Sequence, residues 1–147
     1  MNHGGWNKLL CDYFYTIALE TLAGYFSESG FVAERINVGG VTFRKHDLFV
    51  EVSYDPESYP KYSISIVVGI GKAAYDDWGR FTGVPVWSII PNRSASSELL
   101  TQTFSDENGL KIILIKTKAM IFEPYIKPLW ENRFLLEKEI GKFQTTL

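Results

Sequence analysis

Apolar spacing changes at Gly30 from a helical period to a strand period, and that change constrains the fold more than any other feature of the chain. Before it, Trp6, Leu9, Leu10, Tyr13, Phe14, Ile17, Ala18, Leu22, Tyr25 and Phe26 recur every three or four positions. This spacing predicts an amphipathic helix of about six turns over Trp6 to Ser29. Gly30 supplies the left-handed residue that commonly ends a helix, and Phe31 is placed to fold back on the last turn, as in a Schellman cap. Gly24 weakens the middle of the helix by about 1 kcal/mol against alanine without breaking it.

After Gly30 the period is two. Phe31 to Ile36 reads as a strand, Gly39-Gly40 as a turn and Val41 to Arg44 as a second strand. In a third, Leu48, Val50, Val52 and Tyr54 alternate with Phe49, Glu51 and Ser53. Asp55-Pro56-Glu57-Ser58 puts proline at the second position of a type I turn. In a fourth strand, Tyr62, Ile64, Ile66, Val68 and Ile70 alternate with Ser63, Ser65, Val67 and Gly69. No connection is long enough for a parallel crossover helix, so the strands form an antiparallel meander. One face is expected to carry Leu48, Val50, Val52 and Tyr54 beside Ile64, Ile66 and Val68.

Gly71 to Phe104 mixes Gly, Pro and Ser with Tyr75, Trp78, Phe81, Trp87, Ile89 and Ile90. It is expected to be an ordered, aromatic-anchored excursion over the core. Val84 to Ile90 is a candidate fifth strand that Pro85 confines to an edge or bulge, and a short helical piece is expected within Ser94 to Phe104. Ser105 offers an N-cap hydroxyl, with Asp106 and Glu107 for the positive helix end. Leu110, Ile113, Leu114, Thr117, Met120 and Ile121 then keep helical spacing, with a strand over 111–115 as the alternative. Pro124 is expected to end that helix, and Pro128 to open a last one running from Leu129 toward Phe143. The expected fold is one α+β domain over residues 1–147, with an N-terminal helix, an antiparallel meander of four to five strands, and C-terminal helices packed on one face.

Composition narrows the function classes. Net charge is −2 and the basic residues are scattered, so nucleic acid is not an expected partner, since phosphate binding needs clustered Lys and Arg. No run of 18 apolar residues occurs and no basic region precedes an apolar one at the N-terminus, so neither a membrane span nor a signal peptide is expected. Lone Cys11 lies in the helical apolar pattern and is expected in the core. A soluble protein of a reducing, cytoplasmic compartment fits these features.

No catalytic, metal or nucleotide motif stands out. Gly69-Ile70-Gly71-Lys72-Ala73-Ala74 spells a dinucleotide fingerprint, but the strand before it alternates serine with apolar residues, where a Rossmann strand is buried on both faces. Gly79 and Gly83-Val84-Pro85 would also interrupt the helix that must follow. A strand-ending glycine turn is the preferred reading. His3 and His46 do not make a metal site, and His46 beside Asp47 in a tight turn is expected to face water. No catalytic residues and no cofactor are therefore assigned.

The better clues are acidic and aromatic loop residues. Asp55 and Glu57 lie in one expected loop, Asp76, Asp77 and Trp78 in another, and aromatic residues make up 15% of the chain, a high share for which interfaces have a use. Trp6, Trp87 and Trp130 are expected in the core, and Trp78, between Asp77 and Gly79, partly exposed.

Three stretches carry a resemblance: Tyr25-Phe26-Ser27-Glu28-Ser29-Gly30-Phe31, Leu48-Phe49-Val50-Glu51-Val52-Ser53-Tyr54-Asp55, and Tyr125-Ile126-Lys127-Pro128-Leu129-Trp130 followed by Phe134. In these the chain resembles a diffuse group of small bacterial α+β proteins, some of them immunity proteins of polymorphic toxin systems. It departs from the Pro-Leu-Leu-x-Gly-Asp common at the last stretch, carrying Trp130-Glu131-Asn132 instead. The missing catalytic constellations and the aromatic residues in irregular loops point to a non-enzymatic protein-binding module whose partner is another protein, and the resemblance implies that it is immunity-like. Asp55, Glu57, Asp76, Asp77 and Trp78 are the expected contact residues. The alternative is a small-ligand-binding protein or enzyme with a pocket between the sheet and the 71–104 segment.

Nicotinamide and adenine nucleotides, and chelators, should leave the melting temperature unchanged. A ligand at 100 times its dissociation constant would add about 2.7 kcal/mol of stability, so a rise of several degrees with any nucleotide would revive the glycine motif.

Overall fold

A computed structural model describes residues 8–36 and 39–146. The expected helix start at Trp6, the core role of Trp6 and the position of His3 lie outside the described residues. Helix α1 covers Lys8–Glu28 and buries Leu10, Cys11, Phe14, Ala18, Leu22 and Phe26 along one stripe. It stops as its sequence requires: Gly30 has φ +89°, the Gly30 N–H donates to the Ser27 carbonyl at 3.0 Å, and the Phe31 N–H donates to the Phe26 carbonyl at 3.1 Å.

The meander follows as strands β1 (Val32–Ile36), β2 (Gly40–Lys45), β3 (Leu48–Tyr54) and β4 (Tyr62–Ile70), all antiparallel neighbours in that order. In the register, Val50 faces Val68 and Val52 faces Ile66, with Tyr54 opposite Ile64. The alternation thus resolves into one inner face that packs on the helices, as period two demands. The turn at 55–58 closes as a short 3-10 helix, Pro56–Ser58, capped by the Asp55 carboxylate.

β5 (Gly83–Pro85) continues the sheet along β4 as its edge strand, where the missing N–H of Pro85 costs no ladder bond. It is shorter than the 84–90 expected, because the chain turns into a 3-10 helix at Val86–Ser88. That turn corrects the expectation for Trp87: Val86 takes the core position and Trp87 points outward, 63% exposed. Helix α2 (Ala95–Leu99), capped by Ser94, is the short helical piece, and β6 (Thr103–Phe104) adds an unexpected pairing to the first two residues of β4.

Helix α3 (Glu107–Thr117) settles 110–115 as helix. Its N-cap is Asp106, which accepts from the Gly109 N–H at 2.7 Å, one residue later than expected for Ser105. Pro124 does not end the helical path. The chain widens into a π-helical stretch, Lys118–Ile126, with Pro124 inside it. In an α-helix the Met120 carbonyl would face Pro124, which has no N–H to give. Here the Ser96 hydroxyl donates to that carbonyl at 2.8 Å. The last helix is two: α4 (Lys127–Glu131) and α5 (Arg133–Gln144), separated at Asn132, which caps α5 by accepting from the Leu135 N–H.

The interior is aromatic at its centre. Phe26 stacks on Phe43 with centroids 4.1 Å apart and meets Phe122 at 5.2 Å, Trp130 at 5.3 Å and Phe31 at 5.7 Å. Trp130 is buried, as expected. A second, smaller cluster of Phe49, Val67 and Ala74, with Phe81 against it, lies on the opposite, outer face of the sheet.

That outer cluster explains the glycine motif. Gly69 stands opposite both Phe49 and Gly83. A Cβ on Gly69 would lie 2.6 Å from Phe49 Cζ and 2.8 Å from Gly83 Cα, so the position is glycine to admit the ring and the neighbouring backbone. Gly71, at φ +130°, turns the chain out of the strand, and no helix begins there to receive a phosphate.

Gly69→Ala should cost about 1–3 kcal/mol, the usual range for overpacking. Gly24→Ala should gain about 0.5–1 kcal/mol, because a Cβ at that helical position meets nothing within 4 Å. Urea melts of the two variants beside the parent chain check both signs.

Candidate functional site

The outer face of the sheet is covered only in part. Its cover is the segment leaving β4, in which Thr82 N–H donates to the Ala74 carbonyl at 2.7 Å and Tyr75 bridges to Phe81. At its tip the Asp76 carboxylate accepts from the Trp78 N–H at 2.9 Å, the Arg80 N–H at 2.9 Å and the Arg80 Nε at 3.0 Å. Those bonds hold the Asp76 carboxyl below its ordinary range, with the Arg80 backbone bond the largest cause. Asp76 therefore builds the loop on which Trp78 stands.

The other expected contact residues fall in two places. Trp78 is 84% exposed and Asp77 is exposed beside it. Asp55 and Glu57 are exposed in the turn that enters β4, whereas Asp76–Trp78 lie in the segment that leaves it. Among the described residues no hydrogen bond or ion pair joins the two groups. Asp47, expected in water beside His46, is exposed but receives the Arg133 guanidinium on both oxygens, at 2.7 and 2.8 Å, and so fastens the start of α5 to the β2–β3 turn.

A cleft of about 580 Å³ lies between this segment and the sheet, where the alternative reading expected a pocket, though the sequence singled out none of its lining residues. Its sheet side is Glu51, Ser65 and Val67, and its walls include Tyr75, Phe81, Trp87 and Phe143. These four rings form an edge-to-face series: Tyr75–Phe81 at 5.3 Å, Phe81–Phe143 at 5.6 Å and Phe143–Trp87 at 5.9 Å. The Gln144 amide donates to the Phe81 carbonyl at 3.2 Å and ties the end of α5 to the wall. Tyr75 and Trp87 are each 63% exposed.

Glu51 is the chemically distinctive group. It stands in β3 between Thr42 and Val67, partly buried, and among the described residues its carboxylate makes no ion pair or hydrogen bond. Desolvation alone pushes its carboxyl above the ordinary range. The sequence signal was a single acid among the outward positions Phe49, Glu51 and Ser53 of a central strand. A second hollow, about 750 Å³, lies between the 87–92 turn and the end of α5, but its Glu139 and Lys142 pair with each other at 3.5 Å. It offers no free charge.

Among the described residues no three His, Cys, Asp or Glu side chains gather as metal ligands would, and no helix is long and apolar enough to cross a membrane. No family model, curated protein or solved structure matches the chain.

Because the Glu51 carboxyl is raised in the folded state, the native protein binds its proton more readily than the unfolded chain does. Its charge therefore destabilises the fold above the folded pKa, and that cost vanishes as pH falls below the unfolded value. Glu51→Gln should be more stable than the parent at neutral pH and match it near about pH 4. Paired thermal melts across that range test the sign, and a Gln variant less stable at neutral pH would assign Glu51 a structural role.

Proposed function

We propose that this chain is a non-enzymatic protein-binding module whose partner docks across the outer face of the sheet, on Tyr75, Trp78 and Trp87. The observation that carries the reading is the exposure of these three large aromatic side chains on one segment whose backbone is tied by its own hydrogen bonds. An exposed aromatic on a pre-ordered loop loses little conformational entropy on docking and gives up much water-exposed apolar area, which is what binding anchors do. The helical face of the sheet, by contrast, is filled with side chains and offers no docking surface.

The resemblance to immunity proteins extends the proposal to the kind of partner, a toxin protein with a basic face. Asp77, Asp55 and Glu57 are exposed acids that would steer such a face toward the sheet edge, raising the association rate in a salt-dependent way. A second reading, a small-ligand site, is favoured by the aromatic cleft, whose volume falls in the range of small-molecule pockets.

A photo-crosslinker at position 78 should trap a partner that one at Ile112, on the exposed side of α3, does not. With that partner purified, Trp78→Ala and Trp87→Ala should each weaken binding by roughly tenfold or more, mainly by faster dissociation. Their melting temperatures should stay near the parent's, since neither ring is buried. Equal binding by both alanine variants would remove the site.

A further inference from the structure

Resting on the module reading, we infer that the Glu51 cleft receives a basic side chain, lysine or arginine, from the docked partner. The cleft joins an unpaired carboxylate to aromatic walls on the same outer face as Trp78 and Trp87. A carboxylate at the middle of a central strand is a cost to folding that Thr or Val would not carry, as its neighbours Thr42 and Val67 show. A group kept at such a position without a partner of its own fits a site whose counter-charge arrives from outside.

Among the described residues no basic side chain pairs with Glu51, and three from the surrounding elements are engaged elsewhere. Arg44, on β2, donates to Glu34 at 3.3 Å and to the carbonyls of Gly71 and Lys72. Arg80 is held by Asp76, and Lys142, on α5, by Glu139. None of them reaches Glu51. Charge complementarity therefore asks for an external cation. The walls add to the selection: apolar surroundings strengthen the carboxylate's attraction for a cation, and aromatic faces favour ammonium and guanidinium groups through their quadrupoles. A long aliphatic stem ending in one charge matches a cleft that is apolar along its walls and acidic at its sheet side.

The chemistry can be probed on the intact chain with n-butylguanidinium and n-butylammonium, read by the indole resonance of Trp87 and the ring resonances of Phe143. n-Butanol is the neutral control. Saturable shifts are expected with the cations and not with the alcohol, and Glu51→Gln should weaken cation binding about tenfold, or about 1.4 kcal/mol, while Ile112→Ala, on the exposed side of α3, leaves it unchanged. Equal binding of butanol, equal binding to the Gln variant, or no shift at Trp87 and Phe143 would each overturn the inference. A folded Gln variant is secured by its melt, so loss of binding cannot be loss of structure. With a purified partner, Glu51→Gln should slow no association step but speed dissociation. Partner binding that survives Glu51→Gln yet fails in Trp78→Ala would sink the cation site and leave the module reading standing. A tight free cation whose binding the partner does not displace would instead mark a small-ligand site and overturn the side-chain assignment.

Discussion

The fold depends on Phe26. It sits in the last turn of α1 and is fully buried, and four parts of the chain converge on its ring: Phe43 of β2 stacked at 4.1 Å, Phe31 after the cap, Phe122 of the π-helical stretch and Trp130 of α4. Its own carbonyl accepts the Phe31 N–H that closes the helix end. Local chain reversal and long-range packing thus meet at one residue. Burying a phenylalanine is worth about 1.5–3 kcal/mol, and ring pairs add to that, but the larger consequence is geometric. The helix stops, and the sheet starts, in the orientation that brings Phe43 against Phe26.

From that anchor the two faces of the sheet acquire different roles. The inner face is saturated by α1, α3, α4 and α5, so its residues answer to packing alone. The outer face is covered by the excursion that leaves β4 at Gly71 and returns as β5, with the end of α5 against it, and the cover is thin enough to leave a cleft over β3 and β4. The same glycine pair that admits the Phe49 ring, Gly69 beside Gly83, draws the excursion against the sheet. What lies between is a charged side chain with no counter-ion under a rim of aromatic rings. Stability and binding are thereby separated in space, as they are when binding loops rest on a rigid scaffold.

Legibility followed the range of the forces involved. The strands 48–54 and 62–70 were readable to the residue, because alternation is a local pattern and one buried face fixes the register. The cap at Gly30 was readable for the same reason. Pro124 misled, since its missing N–H predicts a helix end unless something else satisfies the Met120 carbonyl, and the Ser96 hydroxyl that does so comes from a distant helix. Trp87 misled because whether an aromatic side chain packs or protrudes depends on where β5 stops. The exposure of Trp78 was legible from its small and charged neighbours, whereas the structural duty of Asp76 was not, since its three bonds need the loop closed around it.

By itself the sequence determined the class and order of elements: one long helix, an antiparallel meander and a helical C-terminal third, each written in short-range periodicity and in glycine and proline at the turns. It also determined which face of β3 and β4 would be buried. Only the tertiary structure decided what the other face became. Glu51, Tyr75, Phe81, Trp87 and Phe143 are scattered over the chain, and no local rule relates them. They become a site because the edge strand pairs with β4, carries its segment across the outer face, and lets the end of α5 close the wall.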